Sequence, residues 1–571
     1  MSQESIKRST GAAFSETGTD GMILRTFMRG MGYSADLVRR RPVIGIANSW
    51  SELNPCNAGL RDLAADVKRG ILAAGGFPLE FPTVSLGEPF VRPTTLYLRN
   101  LMAMDVEEMI ASTPLDGVVL LGGCDKTIPA QIMGALSADK PTITLAAGPR
   151  PTARWRDRVL TIDDLWSLAD ARRSGELTES EWEGIEGCLN GGVGTCNVMG
   201  TATTMAMVAE TLGLALPGSA LLPAGSAGRS DAAERTGARV VALARDGTRP
   251  SEVVTRAALE NALRVVLAVG GSTNAIIHLE ALAGRIGQRL GVDRITELSQ
   301  STPLLADVRP SGPHLLEDLH VAGGVPAVAR ELATQFDLTQ VTASGEPWGV
   351  VVDRTPRVES PALRTFHQPT QPAGGIVALR GTLAPGGAVL KRSAADAALL
   401  KHRGPAVVFD GVAELHARID DLAVVIDADS VLVLRGVGPV GGPGMPEVGA
   451  IPIPTRLLTA GVRDMLRISD ARMSGTASGA VVLHVTPEAA IGGPLALVRD
   501  GDLIEIDADE GRLDLIVDAA ELARRRDQLG ARVTPGRGYG RMHELHVLQA
   551  DEGCDFDFLV GQGLDVSPPS T

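Results

Sequence analysis

Up to about residue 340 the chain alternates short apolar runs with stretches whose apolar positions return every three or four residues. Residues 42–47 (Pro-Val-Ile-Gly-Ile-Ala) predict a strand, and Leu60, Leu63, Ala64, Val67, Ile71 and Leu72 then mark one face of a helix. The pattern repeats with a strand over 117–123 and a helix over 128–136, and helical spacing returns over 201–212, 253–267 and 275–283. Strands alternating with helices predict a parallel α/β sheet covered on both faces. Between residues 346 and 375 the pattern breaks: Pro347, Pro356, Pro361, Pro369 and Pro372 exclude a continuous helix or a central strand. Strand signals dominate beyond it, at 376–379, 406–409, 423–426, 431–434 and 481–485. Residues 502–506 and 513–517 predict a hairpin, 519–528 a helix, and the proline-rich end 567–571 a frayed tail. The expected organisation is an α/β domain over 1–365 followed by a β-rich domain, a barrel or a packed sheet, over 366–571.

Composition narrows the function classes. The chain has 571 residues, 44% of them hydrophobic but only 3% aromatic, which suits a small-residue core and argues against a base-stacking surface. A net charge of −14 and the absence of a basic run disfavour nucleic acid and anionic membranes as partners. An anionic substrate must therefore be captured locally, by metals, helix N-termini or single Lys and Arg residues. The polar stretch 1–19 has no secretory signal pattern, and no apolar run reaches the roughly 18 residues of a membrane span. The odd set of five cysteines reads as reduced thiols in a cytoplasmic protein, where metal binding or catalysis is favoured over disulfides.

Three of those cysteines share a context. Cys56 (Asn54-Pro55-Cys56-Asn57), Cys124 (Gly122-Gly123-Cys124-Asp125-Lys126-Thr127) and Cys196 (Gly194-Thr195-Cys196-Asn197) each precede a predicted helix, whose dipole favours the thiolate. The C-terminal edge of a parallel sheet gathers such loops. Three thiolates meeting there are one short of the usual four of an iron–sulfur cluster and would leave one iron open as a Lewis acid. Read locally, the same residues are equally small buried cysteines, as Cys188 and Cys554 are expected to be. Glu88, Asp125 and Glu447 stand on Gly/Pro-rich loops and are candidate ligands of a hard cation, or simply solvated acids. Asp125 beside Cys124 puts a hard ligand next to a soft one. Gly436, Gly438 and Gly441 match a dinucleotide fingerprint formally, but Pro439, Pro443 and Pro446 bar the helix that motif requires. Ser474 sits among the small residues 470–479, a loop that admits close approach, and is either a base or part of a turn. His278 is expected to be structural.

Taken together, these stretches resemble the dihydroxy-acid and sugar-acid dehydratases, the family that includes phosphogluconate dehydratase. The blocks are 54–57, 122–129, 194–202, 212–218, 270–275, 441–447 and 470–479, in order along most of the chain. The resemblance implies an α/β domain and a barrel-like domain with the active site between them, in a homodimer or homotetramer. It implies a 2Fe–2S cluster on Cys56, Cys124 and Cys196, and Mg2+ on Glu88, Asp125 and Glu447. Lys126 matches a lysine carbamylated in the family, which turns a cation into a carboxylate-like ligand. Ser474 matches the proposed base, with Thr476 beside it.

Residues 85–94 and 100–105 look like the sugar-acid branch, whose substrates are aldonates such as arabinonate, xylonate, gluconate or fuconate. The branched-chain amino-acid enzymes have aspartate where Glu88 stands. One departure is the end of the chain: 563–569 has no histidine, whereas many sugar-acid enzymes end on one that reaches the site. The rival readings are a dihydroxy-acid dehydratase of branched-chain amino-acid synthesis, an iron–sulfur sensor, which has no use for the acids and Ser474, and a cluster-free binding protein.

Overall fold

Residues 11–530 and 536–561 are described by a computed structural model of the chain. The first sheet holds β1 (Val43–Asn48), β2 (Phe77–Pro82), β3 (Gly117–Gly122) and β4 (Thr142–Ala146), all parallel, in the order β2-β1-β3-β4. Its period-2 alternation sends side chains into two cores. Ile44, Ile46, Val119, Leu121, Ile143 and Leu145 pack with Leu60, Val67 and Ile71 of the helix Leu60–Ala73 and with Val240 and Val241 of the helix Ala227–Asp246. Ala47, Val118 and Leu120 face the other way, onto Met102 and Val106 of the helix Thr95–Ser112 and Ile128 and Ile132 of the helix Thr127–Ala138. The expected two-sided α/β sheet is thus present, with a further helical layer, Thr201–Thr211, Arg256–Ala268 and Asn274–Arg285, on the second face. The helix expected over 253–267 begins at Arg256, because Thr255 turns out of it and caps the Ala258 N–H at 3.1 Å.

A short antiparallel pair, β5 (Ala153–Trp155) and β6 (Arg158–Leu160), precedes the helices Asp164–Arg173 and Glu179–Glu186. The remaining strands are β7 (Val377–Leu379), β8 (Gly387–Leu390), β9 (Lys401–Asp410), β10 (Val431–Arg435), β11 (Arg467–Ser469), β12 (Val481–Thr486), β13 (Leu503–Asp507) and β14 (Arg512–Ile516). They form one mixed sheet in the order β14-β13-β9-β10-β11-β12-β8-β7, with β9 to β12 parallel and β13–β14 the expected hairpin. The sheet is nearly closed and barrel-shaped: beyond β7, the Arg380 N–H donates to Gly511 O (2.8 Å) and Arg380 O accepts from Leu513 N–H (3.0 Å), joining the two edge strands. Val408, Val433, Ile468, Val482, Ile504 and Leu513 share its interior. Val389, Val481 and Leu483 belong instead to the core of the helical layer, so the β12–β8 wall is where the barrel meets the first sheet's helices.

One expected strand is absent. Residues 423–426 form a turn, with Asp421 accepting the Ala423 and Val424 N–H groups through its side chain and carbonyl, and Leu422 and Val425 exposed. The flanking Asp420, Asp421, Asp427 and Asp429 supply turn chemistry that overrides the apolar run. The histidine-free end and the expected frayed tail lie outside the described residues. Among the described residues no helix is long and apolar enough to cross a membrane.

Candidate active site

The C-terminal ends of β1, β2, β3 and β4 open into loops on one edge of the first sheet, where ligands of parallel sheets bind. The loop after β1 carries Cys56, the loop after β2 carries Glu88, and the loop after β3 carries Cys124, Asp125 and Lys126. Asn57 couples two of them: its amide donates to Ser49 O (2.9 Å) while its carbonyl accepts the Cys124 N–H (3.3 Å). Gly123 is required there, since a Cβ would sit 2.5 Å from that carbonyl oxygen and 2.8 Å from Cys56 O. Cys196 arrives after a long excursion. The loop that holds it is stitched to the end of β4, with Thr195 N–H on Gly148 O (2.8 Å) and Arg150 N–H on Thr195 O (2.9 Å).

The three cysteines are thus brought to one edge. The Cys56 thiol is driven well above its ordinary range, first by its hydrogen bond with the Cys124 thiol and then by burial. The Cys196 thiol is pushed up to about 12 by burial, with Asp125 and Cys124 adding to it. For Cys56 and Cys196 burial and repulsion from neighbouring groups therefore disfavour the expected thiolate. Arg150 opposes the shift for both: its Nη2 lies 3.7 Å from Cys56 Sγ and donates to Gly194 O at 2.8 Å, while its Nε donates to Thr195 O at 3.0 Å. Cys188 and Cys554 lie apart. The Cys188 thiol donates to Gly184 O (3.4 Å), and Cys554 is buried against Met445, with Sγ 4.0 Å from Sδ.

Glu88, Asp125 and Glu447 each offer an oxygen within 4.8 Å of the others. Glu447 comes from the barrel, on the loop that follows β10. Lys126, fully buried, stands among the three, with Nζ 3.1 Å from Glu88 Oε2, 3.6 Å from Asp125 Oδ2 and 2.8 Å from Glu447 Oε1. Burial and Arg472 push the ammonium toward its neutral form, but the three carboxylates outweigh them and hold it charged. Burial likewise raises Glu88, yet Lys126, Arg472 and the hydroxyls of Thr95 and Thr94 prevail and hold it at about 2. Asp125 is raised to about 6 by burial and by repulsion from Glu447 and Glu88, which Lys126 only partly offsets. Cys196 also feels Asp125 and Glu447, which puts the thiol and carboxylate clusters within electrostatic reach of each other.

Ser474 sits on the loop between β11 and β12. Its Oγ is 2.8 Å from Thr476 Oγ1 and 3.3 Å from the Thr476 N–H. Gly475 allows this loop to press onto the N-terminus of the helix Thr201–Thr211: a Cβ would lie 2.8 Å from Thr201 N and 3.0 Å from Ser272 Oγ. A cleft of about 750 Å³ opens beside it, lined by Trp166, Ser311, Ser393, Arg467, Ala477 and Ser478 among others.

Several functional side chains were not singled out from the sequence. Buried Arg472, two residues before Ser474, donates to Glu447 Oε1 (2.8 Å), Asn274 Oδ1 (3.2 Å) and Thr94 Oγ1 (2.9 Å). Asn274, inside the 270–275 block, donates to Glu447 Oε1 and Met473 O, both at 3.2 Å. The family blocks contain both residues and were the available signal. Trp166, whose indole N–H donates to Thr476 Oγ1 at 2.9 Å, and Arg150 carry no local signal, because only folding brings them to the site. His278 is buried on the helix Asn274–Arg285 with Nδ1 3.3 Å from Arg99 Nη1, and burial pushes its pKa well down.

Comparison with known proteins covers nearly the whole chain. The dihydroxy-acid/6-phosphogluconate dehydratase N-terminal model matches residues 41–350 and the corresponding C-terminal model residues 361–554. The L-arabonate dehydratase of Azospirillum brasilense is 48% identical over 96% of either chain. The 6-deoxy-6-sulfo-D-gluconate dehydratase of Pseudomonas putida is 46% identical over 93% of this chain and 92% of its own. A dihydroxy-acid dehydratase of Caldicellulosiruptor saccharolyticus is 38% identical over 89% of this chain and 92% of its own.

Proposed function

As a chain that belongs to the dihydroxy-acid/6-phosphogluconate dehydratase family, this protein is a hydro-lyase, and we propose that it converts an aldonic acid to the 2-keto-3-deoxy acid. The sugar-acid relatives, at 46% and 48% identity, favour an aldonate over a branched 2,3-dihydroxy acid, whose enzyme matches at 38%. The observation that carries the mechanism is the meeting of the carboxylate cage, on the first sheet's edge, with a barrel strand end that brings both Glu447 and, one loop on, Ser474.

The residues fit the groups that the family implies. Glu88, Asp125, Glu447 and a carbamate on Lys126 would hold Mg2+, and Cys56, Cys124 and Cys196 would hold a 2Fe–2S cluster with one iron short of protein ligands. Bound there, the two groups supply Lewis acidity toward the substrate's carboxylate and 2-hydroxyl and toward its 3-hydroxyl. The charge balance supports the cage assignment. An ammonium and the Arg472 guanidinium now face three carboxylates; a carbamate with a divalent cation leaves the same net charge. Loading the cage therefore exchanges one cation for another, and it frees the Lys126 amine to take up carbon dioxide.

Ser474 Oγ, as the alkoxide, takes the proton from C2. The C–H electron pair becomes the C2–C3 double bond, the hydroxyl leaves C3 and departs with a proton as water, and the enol gains a proton at C3 as its own hydroxyl proton is lost. Arg472 and Asn274 hold Glu447 in place throughout, and Asn274 also fixes the backbone at Met473, next to the base. The test is anaerobic purification followed by a panel of pentonates, hexonates and 2,3-dihydroxyisovalerate, scored for 2-keto acid. Turnover fastest on one aldonate is expected. Preference for dihydroxyisovalerate would move the protein to the branched-chain reaction, and no keto acid from any substrate would overturn the reading.

A further inference from the structure

We propose that Trp166 is a positioning residue for the base: it fixes the direction of the Thr476 hydroxyl so that two hydrogen-bond donors converge on Ser474 Oγ. The inference rests on the reading of Ser474 as the base. An indole N–H can only donate, so Thr476 Oγ1 accepts from Trp166 at 2.9 Å. With that lone pair taken, the threonine's own hydrogen is directed to its other polar neighbour, Ser474 Oγ at 2.8 Å. The Thr476 backbone N–H approaches the same oxygen at 3.3 Å. Two donors and no acceptor among these contacts favour the oxyanion form of Ser474 over the neutral hydroxyl.

The sequence places Trp166 on the helix Asp164–Arg173, 310 residues from Thr476. That helix is anchored independently of the serine loop. Asp164 accepts the Thr161 N–H at 2.8 Å and pairs with Arg309 Nη1 at 2.6 Å. Trp166 is 44% exposed and lines the cleft beside the loop, so its hydrogen bond is not a by-product of core packing. Thr476 itself is nearly buried, which restrains its rotation. The tryptophan thus acts on the base through the threonine, from a different part of the chain.

The test compares Trp166→Phe, Thr476→Val, Thr476→Ser and the double variant Trp166→Phe/Thr476→Val in the cluster-loaded holoenzyme. Trp166→Phe is expected to lower kcat roughly tenfold and to move the ascending, acid-side limb of the kcat–pH profile to higher pH by about one unit, with KM little changed. Thr476→Ser keeps the hydroxyl and should retain most activity, while Thr476→Val should lose at least as much as Trp166→Phe. The double variant should be no worse than Thr476→Val, because both changes break one relay. A profile unmoved in Trp166→Phe, a rise in KM alone, or additive losses in the double variant would overturn the inference, provided circular dichroism and melting match the parent. Ser474→Ala separates the two readings: if it retains activity, the base assignment itself fails; if it is dead while Trp166→Phe keeps its profile, only the relay fails.

Discussion

Lys126 Nζ lies 2.8 Å from Glu447 Oε1 across 321 residues of sequence, so the edge of the first sheet and the mouth of the barrel share one buried ion pair. A buried lysine facing three acids offsets part of their charge. Replacing it should therefore separate structure from catalysis. Lys126→Gln is expected to fold, because Arg472 still faces Glu447, but to abolish turnover and to bind Mg2+ at least tenfold more weakly. Titration calorimetry with Mg2+, with and without bicarbonate, checks this. Bicarbonate should strengthen Mg2+ binding in the parent and have no effect in the variant.

The cysteines divide sharply. Serine at 56, 124 or 196 should remove the visible absorption of anaerobically reconstituted protein, whereas Cys188→Ser should leave it intact. Arg150 belongs with the first group. It ties the Gly194–Thr195 carbonyls to the Cys56 sulfur, so Arg150→Met should cut cluster retention by roughly 10–100-fold on dilution into chelator. Iron and sulfide analysis against time is the measurement.

Gly475→Ala tests the contact between the serine loop and the helix beginning at Thr201. The added methyl would lie 2.8 Å from a backbone nitrogen and 3.0 Å from Gly200 Cα, neither of which yields easily. The loop must shift, at a cost of about 1–3 kcal/mol. A fall in kcat with unchanged cluster absorption is expected.

Asp470 and Glu488 set a pH dependence. Both are buried, and together they accept the N–H groups of Gly436, Val437, Val440, Gly441 and Ala489, which shapes the loop leading to Glu447. Burial raises Asp470 to about 6; burial and the repulsion from Asp470 raise Glu488 to about 7. Their ordinary values are 3.8 and 4.5, so between about pH 4 and 7 the folded state holds protons the unfolded chain has released. This contribution to stability is full below the unfolded values and is lost as pH rises through the folded ones. For Glu488 the loss is on the order of 1–3 kcal/mol. Glu488→Gln should flatten the decline of the melting temperature between pH 5 and 7.5.

The first sheet, the hairpin and the β-rich second half followed from periodicity, because apolar alternation and turn residues are local signals, whereas closure into a barrel followed only from the resemblance. The run 423–426 misled for the same reason: its apolar pattern is strand-like, and the aspartates that turn it lie just outside it. Each cysteine, acid and serine was visible only as a loop residue of unusual type, and it took the ordered set of blocks to join them. What stayed hidden was long-range. Nothing near Trp166 or Arg150 announces a partner at Thr476 or Cys56, and the thiol shifts depend on burial that no local pattern records.

The segment between Arg150 and Thr195 leaves and re-enters the fold at one point, since the Gly148–Thr195 and Arg150–Thr195 backbone bonds bring its two ends together. Its two ends are therefore held beside Cys196 by backbone bonds that do not depend on the length of chain between them. Because that segment carries Trp166 and part of the cleft wall, changes within it would, on the proposed reading, retune the serine's surroundings and the cleft while leaving the loops of Cys56, Glu88 and Cys124 untouched.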